Sequence, residues 1–381
     1  MSVEQVIQIL DKLVFFKSVT PKSRGSIEYI SNLLCNAGFS SDIQVFGKEE
    51  ESTSNLYLKY GKKSPNICFA GHVDVVPPLN EDSWYNNPFK LKIIEEKVYG
   101  RGAVDMKGAI ACSMVATLNY LKANERPNGS ISFLLTSDEE GSGRYGTRLM
   151  LEYLKAKGEK IDFSILGEPT TKTNLGDTIK IGRRGSVNLI LEVIGKQGHT
   201  AYPNNAINPI SSLINIAADL MNINFDNGSK FFEKTNLEIT SLDVGNNVVN
   251  IIPEKSTMNF NVRFNDLHNT KTIVEIILGT IKKYNVIFNL QIISSSESFI
   301  QKYSEKMAEF AKIVKNQCNL TPKISTSGGT SDARFIHKYS EIVEFGLRFD
   351  QAHKINEHTR ISDLQSLYNV YYSALTEFLK N

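Results

Sequence analysis

Apolar and polar residues follow two different patterns along the chain. Up to about residue 180, and again after 293, short apolar runs alternate with stretches of helical periodicity, which is typical of an α/β fold. The predicted strands of this part are 43–46, 55–60, 67–74, 98–99, 130–136, 163–166 and 342–345. The predicted helices are 2–15, 25–37, 109–122, one that ends near 157, 304–316 and 362–379.

The segment 180–293 has a different pattern. The order of its predicted elements is that of a ferredoxin-like unit, β-α-β-β-α-β, with strands 187–193, 238–242, 258–264 and 286–293 and helices 208–221 and 270–284. Strict alternation from Met258 to Phe264 indicates a sheet with helices on one face only. We therefore predict a discontinuous α/β domain, 1–179 with 294–381, and an inserted α+β domain, 180–293, whose open edges or face suit dimerisation.

Composition and charge narrow the class of protein. The chain has 381 residues, of which 41% are hydrophobic and 22% charged, as in soluble globular proteins of two domains. Its formal net charge of +2 gives no electrostatic reason to expect nucleic acid or a membrane as a partner. The four scattered cysteines predict reduced thiols. No apolar run is long enough to span a bilayer and the amphipathic first helix is unlike a signal peptide, so we predict a cytoplasmic protein.

Acidic residues and histidines collect where the predicted strands of the α/β part end. His72 and Asp74 lie two residues apart on one strand, so their side chains share a face. A carboxylate beside an imidazole fixes the tautomer of the ring, as a metal ligand requires. The turn 137–141 contains three consecutive acids, which repel one another unless a cation lies between them. The carboxyl ends of strands in an α/β sheet are where ligands bind, so we expect these groups to form one site.

The number of candidate ligands indicates a pair of metal ions. The candidates at strand ends are His72, Asp105, Glu140, Glu168 and His353. Five ligands are too many for one catalytic zinc ion, and two ions with three protein ligands each need six, so one carboxylate must bridge. Asp105, in a glycine-rich loop, is the natural bridge. Glu139 is then free to act as a general base, although the residues alone leave the reverse assignment of Glu139 and Glu140 open. His358 likewise remains an alternative to His353.

Seven short motifs resemble those of the dinuclear zinc aminoacylase/carboxypeptidase family, and the resemblance covers essentially the whole chain. Four lie at the predicted strand ends, namely Gly-His-x-Asp-x-Val-Pro at 71–77, Gly-Arg-Gly-x-x-Asp-Met-Lys-Gly at 100–108, Ser-Asp-Glu-Glu-Gly at 137–141 and Gly-Glu-Pro-Thr at 167–170. Three further motifs mark a subfamily, namely Gly-Arg-Arg-Gly-Ser at 182–186, Ser-Gly-Gly-Thr-Ser-Asp at 327–332 and His-Lys-Ile-Asn-Glu at 353–357.

The resemblance implies a zinc-peptidase-like catalytic domain with a central mixed sheet flanked by helices. It also implies two Zn²⁺ ions per chain, with Co²⁺ as a possible replacement. His72 and Glu168 would hold one ion, Glu140 and His353 the other, and Asp105 would bridge them. The ligand types by themselves leave zinc, cobalt and manganese open.

The resemblance further implies roles for residues outside the ligand set. Asp74 would orient His72, and Glu139 would be the base. The protein would be a homodimer through the inserted domain, and His199 would reach the partner's active site to stabilise an oxyanion. The positions that match substrate-holding residues are Arg183, Asn250, Arg263, Gly329 and Thr330.

The activity implied is hydrolysis of N-succinyl-LL-2,6-diaminopimelate to succinate and LL-2,6-diaminopimelate, in lysine and diaminopimelate biosynthesis. The alternatives are a related deacylase or peptidase, such as acetylornithine deacetylase or an aminoacylase, and a non-catalytic metal-binding member of the family. One departure bears on this choice. Phe349-Asp350-Gln351 stands where relatives acting on this substrate often carry Asn-Ala-Thr, so the resemblance leaves one substrate contact, and with it the exact acyl-amino-acid preference, open.

Overall fold

The computed structural model describes residues 2–124 and 126–380, which divide into two compact units. The first unit combines the chain up to Ile181 with Gln301–Ser325 and the chain from Ser331 onward. The second unit contains Gly182–Ile300 and Thr326–Thr330. Among the described residues, no helix has both the length and the hydropathy needed to cross a membrane.

Helices and strands alternate along the described chain. The helices are α1 (Ser2–Phe15), α2 (Ser26–Cys35), α3 (Lys107–Ala123), α4 (Thr147–Ala156), α5 (Pro209–Met221), α6 (Thr270–Ile281), α7 (Glu305–Cys318), α8 (Ala333–Ile336) and α9 (Ile361–Phe378). The strands are β1 (Ser40–Phe46), β2 (Thr53–Tyr60), β3 (Asn66–His72), β4 (Lys92–Ile94), β5 (Lys97–Tyr99), β6 (Ser130–Thr136), β7 (Phe163–Leu166), β8 (Thr178–Lys180), β9 (Gly182–Arg183), β10 (Gly185–Ile194), β11 (Gly198–His199), β12 (Asn236–Asp243), β13 (Ile251–Ile252), β14 (Lys255–Phe264), β15 (Ile287–Ser296), β16 (Phe299–Ile300), β17 (Lys323–Ser325), β18 (Glu341–Glu344) and β19 (His358–Arg360).

An eight-stranded mixed sheet forms the centre of the first unit, in the order β1-β2-β6-β3-β7-β18-β8-β17. Strand β3 lies between β6 and β7 and is parallel to both, with His72 opposite Thr136 and Ala70 opposite Leu166. The carboxyl ends of these three strands therefore meet at one edge. The predicted central mixed sheet flanked by helices is confirmed.

Burial explains why the sequences of the central strands are continuous apolar runs. Every residue of β3 and of β6 is buried, as expected for parallel strands covered on both faces. Helix α3 is rich in small residues and packs against β3, α1 and α9. Gly71 and Gly167 leave room for the side chain of Met106, whose terminal methyl group a Cβ at either position would overlap. Because Met106 follows Asp105, this close approach helps to hold the Asp105 loop against the strand ends.

The second unit is a four-stranded antiparallel sheet in the order β12-β14-β10-β15. Helices α5 and α6 pack against it, and one hydrophobic core joins the helices to the alternate residues of β10 and β14. The alternation that the sequence shows in 258–264 is the alternation of buried and half-buried residues in β14. The unit extends past the predicted boundary at 293, because β15 continues to Ser296 and β16 pairs with β9.

Candidate metal centre

The five candidate ligands meet at the carboxyl edge of the main sheet. Asp105 lies in the middle: its Oδ1 is 3.2 Å from Nε2 of His72, and its Oδ2 is 3.3 Å from Nε2 of His353. The same nitrogen of His353 is 2.8 Å from Oε1 of Glu140. On the other side, Nε2 of His72 is 3.6 Å from Oε1 of Glu168. The structure thus brings together all five residues, from three strand ends and two loops.

Two overlapping clusters of possible ligand atoms occur among the described residues. One consists of His72, Asp105 and Glu140, and the other of His72, Glu139 and Glu168, and within each the ligand atoms lie within 4.8 Å of one another. The two carboxylate oxygens of Asp105 face different histidines, which is the geometry that a bridging carboxylate needs.

The chemistry of this donor set fits divalent cations. Nε2 of His72 and Oδ1 of Asp105 are buried and face each other at 3.2 Å without a hydrogen bond of regular geometry, although buried polar atoms are normally satisfied. The five ligands include three carboxylates and two imidazoles, so even with both rings protonated the set keeps an excess of negative charge. Imidazole nitrogens and carboxylate oxygens are ligands that zinc accepts, and cobalt and manganese accept them too.

The pKa shifts of the two histidines show how strongly the surrounding carboxylates stabilise positive charge at this site. Burial opposes protonation of His72, yet Asp105 and the nearby glutamates raise its pKa well above the ordinary value. Hydrogen bonds to Asp105 and Glu140 raise the pKa of His353 to about 10. Burial alone would raise the pKa of Asp105, but its close contacts with the rings of His353 and His72 hold it below the usual range. In the absence of metal, protons on the two rings would take the place of the cations.

Asp74 contacts His72 differently from the predicted carboxylate–imidazole pair. Nδ1 of His72 is 3.0 Å from the backbone oxygen of Asp74 and 3.7 Å from its carboxylate. Because a carbonyl only accepts, the neutral ring carries its proton on Nδ1 and leaves Nε2 free for a metal ion. The Asp74 carboxylate instead accepts hydrogen bonds from the backbone N–H of Glu139, at 3.1 Å, and of Glu140, at 3.0 Å. Asp74 therefore positions the histidine and the acidic loop together.

Asp138, the first of the three consecutive acids, stabilises the backbone of the loop that contains it. Its carboxylate accepts hydrogen bonds from the backbone N–H of Gly143 and of Tyr145, each at 3.2 Å. It is absent from both clusters of ligand atoms found among the described residues. Repulsion within the run of acids is thus partly relieved by backbone amides, a role that the sequence pattern did not reveal.

Glu139 and Glu140 point to different parts of the centre. Glu140 lies against His353, whereas Oε2 of Glu139 is 3.9 Å from Nε2 of His72. Burial, followed by repulsion from Glu168, raises the pKa of Glu139 well above its ordinary value. A carboxylate that holds a proton easily suits a general base that later gives the proton up. The assignment of Glu139 as the base stays a prediction.

The loop that follows β18 brings His353, and not His358, to the carboxylates. His358 lies in β19 opposite Tyr99, with the two ring centroids 4.7 Å apart, and its Nδ1 is 2.9 Å from the backbone oxygen of Asn356. His353 itself has a left-handed backbone conformation, with φ of 63°. A non-glycine residue in this conformation needs its surroundings to hold it there.

Exchange of each histidine for alanine distinguishes the two. We expect His353→Ala to bind one divalent ion fewer per chain than the parent protein, because Glu140 and Asp105 lose their shared imidazole partner. We expect the matched variant His358→Ala to keep the parental metal content. Metal analysis of dialysed protein measures both, and loss of metal from His358→Ala alone would reverse the assignment.

Two of the remaining candidates lie together in the second unit. His199, at the end of β11, pairs with Ile251 of β13, and the backbone N–H of Thr200 donates to the backbone oxygen of Asn250 at 3.1 Å. The backbone N–H of Ala201 donates to Nδ1 of His199 at 3.0 Å. Nδ1 is therefore an acceptor, and the neutral ring carries its proton on Nε2, where it can be donated to a ligand.

The candidate arginines also lie in the second unit. Arg183 is buried, and its Nη1 donates to the backbone oxygen of Gly329 at 3.0 Å, next to Thr330. Arg263 is half-buried on β14, and burial together with the neighbouring charge of Arg184 lowers its pKa. Arg183 thus lies beside Gly329 and Thr330, and Asn250 beside the strand of His199, whereas Arg263 pairs across the sheet with Ser186 and Asn236. The contact of these residues with substrate stays a prediction.

Comparison with known proteins identifies the family. A family model described as peptidase family M20/M25/M40 matches residues 68–377. A curated succinyl-diaminopimelate desuccinylase of Rickettsia bellii (strain RML369-C) is 53% identical over 375 residues, which are 97% of this chain and 96% of the relative.

The solved M20 family metallo-carboxypeptidase Sso-CP2 from Sulfolobus solfataricus has a TM-score of 0.78 at 17% identity, over 98% of this chain and 99% of its own. The Bacillus subtilis YXEP protein is described as a dinuclear metal binding peptidase from the M20 family. It has a TM-score of 0.71 at 15% identity, and the match covers 100% of this chain and 99% of the YXEP chain. The two solved structures support the fold, and the family match with the 53% identical relative shows that the chain is a member of peptidase family M20/M25/M40.

Proposed function

We propose that the chain is a metal-dependent amide hydrolase that removes succinate from N-succinyl-LL-2,6-diaminopimelate, in lysine and diaminopimelate biosynthesis. The observation that carries the chemistry is the position of Asp105 between two histidines, each with a further glutamate beside it. The substrate is supported by the Rickettsia bellii relative, which bears the name succinyl-diaminopimelate desuccinylase and matches this chain over nearly its whole length.

The residues that would hold two Zn²⁺ ions, or Co²⁺ in their place, are His72, Asp105, Glu140, Glu168 and His353. The related Bacillus subtilis protein is described as binding two metals, which supports this number. When bound, such ions polarise an amide carbonyl and lower the pKa of water towards about 7.

Glu139 takes a proton from the attacking water and gives it to the leaving amine. The carbonyl carbon gains a bond to the water oxygen and loses its bond to nitrogen, so the products are succinate and a free amine. The position of Glu139 beside the proposed ligands His72 and Glu168 suits a group that must hold this proton between the two steps.

In the proposed homodimer, the partner subunit's His199 donates a hydrogen bond to the carbonyl oxygen as negative charge develops there. Its tautomer supports this role, because the N–H of Ala201 occupies Nδ1 and leaves the proton on Nε2. Arg183 and Arg263 pair with substrate carboxylates, for which the guanidinium fork is well shaped. Asn250, Gly329 and Thr330 complete the substrate contacts.

The second unit is the proposed dimer interface. Its edge strands β12 and β15 carry exposed apolar side chains: Leu242 is 55% exposed, Ile287 70% and Ile293 57%. Unpaired strand edges with apolar side chains favour pairing with a second copy of the same unit. We place the dimer in the cytoplasm, with the small-molecule substrate and no nucleic acid or membrane as partner.

A substrate panel tests this function directly. We expect zinc-loaded protein to hydrolyse N-succinyl-LL-2,6-diaminopimelate with kcat/KM at least about 100-fold above that for N-acetylornithine, since a site with unfilled charged groups rejects a substrate that lacks their partners. Production of succinate and of free amine measures the rate. Equal turnover of N-acetylornithine or of a dipeptide would show that the chain is a related deacylase or peptidase. No turnover of any amide would indicate a non-catalytic metal-binding member of the family.

A further inference from the structure

A buried carboxylate lies beneath the Asp105 loop and accepts four hydrogen bonds from it. Oε1 of Glu357 accepts from the backbone N–H of Val104 at 2.8 Å and of Asp105 at 3.1 Å. Oε2 accepts from the backbone N–H of Gly102 at 3.0 Å and from Nη1 of Arg101 at 2.7 Å. Glu357 is fully buried, so these four donors replace the water that the carboxylate gives up on folding.

Arg101 extends this connection to the loop that carries His353. Its Nη1 also donates to the backbone oxygen of Lys354 at 3.3 Å, and its guanidinium lies 5.0 Å from the ring of Trp84. The guanidinium is buried, so the pair with Glu357 is shielded from solvent. Arg101 and Glu357 therefore join the loop of Asp105 to the loop of His353.

Both loops need such support. The Asp105 loop consists of turns, and the His353 loop contains two non-glycine residues in the left-handed region, His353 at φ 63° and Asn356 at φ 59°. Backbone of this kind persists only where neighbouring contacts determine it. The contacts of Glu357 with the Asp105 loop are of that kind.

We propose that Glu357 is a positioning residue of the metal centre, which holds the carboxylate of Asp105 and, through Arg101, the imidazole of His353 at the spacing that divalent ions require. The inference rests on the proposed function as a metal-dependent hydrolase. Residues behind metal ligands commonly set ligand orientation, and their loss weakens metal binding about 10–100-fold.

The variant Glu357→Gln tests this role. Glutamine has nearly the same shape, but its NH₂ group faces N–H donors and cannot accept from them. We expect the metal-free variant to fold and to bind Zn²⁺ and Co²⁺ about 10–100-fold more weakly than the parent. Titration calorimetry of metal-free protein measures the affinity, and the visible absorption of bound Co²⁺ reports any change in ligand geometry, so neither readout needs turnover.

Asp162→Asn is the matched control. Asp162 also uses its carboxylate to hold a loop, accepting from the backbone N–H of Asn66 at 2.7 Å and from Oγ of Ser64 at 2.8 Å. It precedes β7 and so lies at the opposite edge of the sheet from the metal centre. We expect Asp162→Asn to lower stability while leaving the Co²⁺ spectrum and both affinities at the parental values.

The outcomes separate the inference from the proposed function. If folded Glu357→Gln binds metal with parental affinity and spectrum, or if Asp162→Asn weakens binding equally, the positioning role is wrong. If Glu357→Gln fails to fold, Arg101→Lys decides, because it keeps the charge and the three backbone bonds: weaker metal binding supports the role and parental binding overturns it. A parent protein that binds no divalent ion would overturn the proposed function and this inference together.

Discussion

Replacing Glu139 by glutamine is expected to lower kcat about 10²–10⁴-fold, the usual contribution of a general acid–base group. The amide cannot take a proton from water, although it fills the same buried space beside His72 and Glu168. Metal content is expected to stay at the parental value, because the five proposed ligands remain. Initial rates under saturating substrate and metal analysis of the same preparation measure both quantities.

The same variant distinguishes a base from a ligand. Glu139 belongs to one of the two clusters of ligand atoms among the described residues, so a structural role in metal binding is the competing explanation. Retention of both ions with the loss of turnover supports the base. A variant that loses metal, or one that keeps kcat within tenfold of the parent, would show that another group takes the proton.

Asp105→Ala is expected to reduce metal affinity by more than about 100-fold, beyond the range found for residues behind the ligands, and to abolish activity with it. The reason is geometric, because no other carboxylate in the described part of the chain is within 3.5 Å of both His72 and His353. Thermal unfolding with and without zinc provides the measurement. At about 100 times the dissociation constant, one bound ion stabilises the parent by about 2.7 kcal/mol, and the variant should show little of this.

The single exchange His353→Ala serves as the comparison for Asp105→Ala. It removes one of the two histidines that face Asp105 and leaves the cluster of His72, Glu139 and Glu168 intact. A bridging Asp105 predicts the greater loss for Asp105→Ala. Equal losses from the two variants would mean that Asp105 serves only one ion.

The residues at the strand ends could be predicted from the sequence, because each of them lies at, or just after, the end of an apolar run that forms a strand. The apolar runs before His72, Glu140 and Glu168 are buried strands, and adjacent parallel strands bring their carboxyl ends together whatever the rest of the chain does. The family match and the solved structures confirm the resemblance and the fold class, and four of the seven motifs that carry the resemblance lie at predicted strand ends.

The partners of individual side chains could not be predicted in this way. Asp74 is only two residues from His72, yet its carboxylate accepts hydrogen bonds from the acidic loop that follows β6, which the pairing of β3 with β6 brings beside it. Glu357 contacts residues about 250 positions away, and nothing in its local sequence indicates this. Short strands such as β8 and β17 have three residues each, too few to show a periodicity, and they form because they pair with each other.

The limits of the second unit show the same dependence on distant contacts. Thr326–Thr330 is separated from 182–300 by Gln301–Ser325, which belongs to the first unit, but it groups with the second unit. Arg183 donates to Gly329 and the hydroxyl of Thr326 donates to the backbone oxygen of Phe231. A segmentation based on pattern alone places this loop with the neighbouring helices of the first unit.

The two histidines that flank Asp105 differ greatly in their access to solvent. The side chain of His72 is 1% exposed and that of His353 is 51% exposed. We therefore expect chelators and competing cations to reach the His353 side first, so that an ion bound there would exchange faster than one bound beside His72. Slow dialysis against a chelator should accordingly pass through a half-loaded protein that keeps its inner ion.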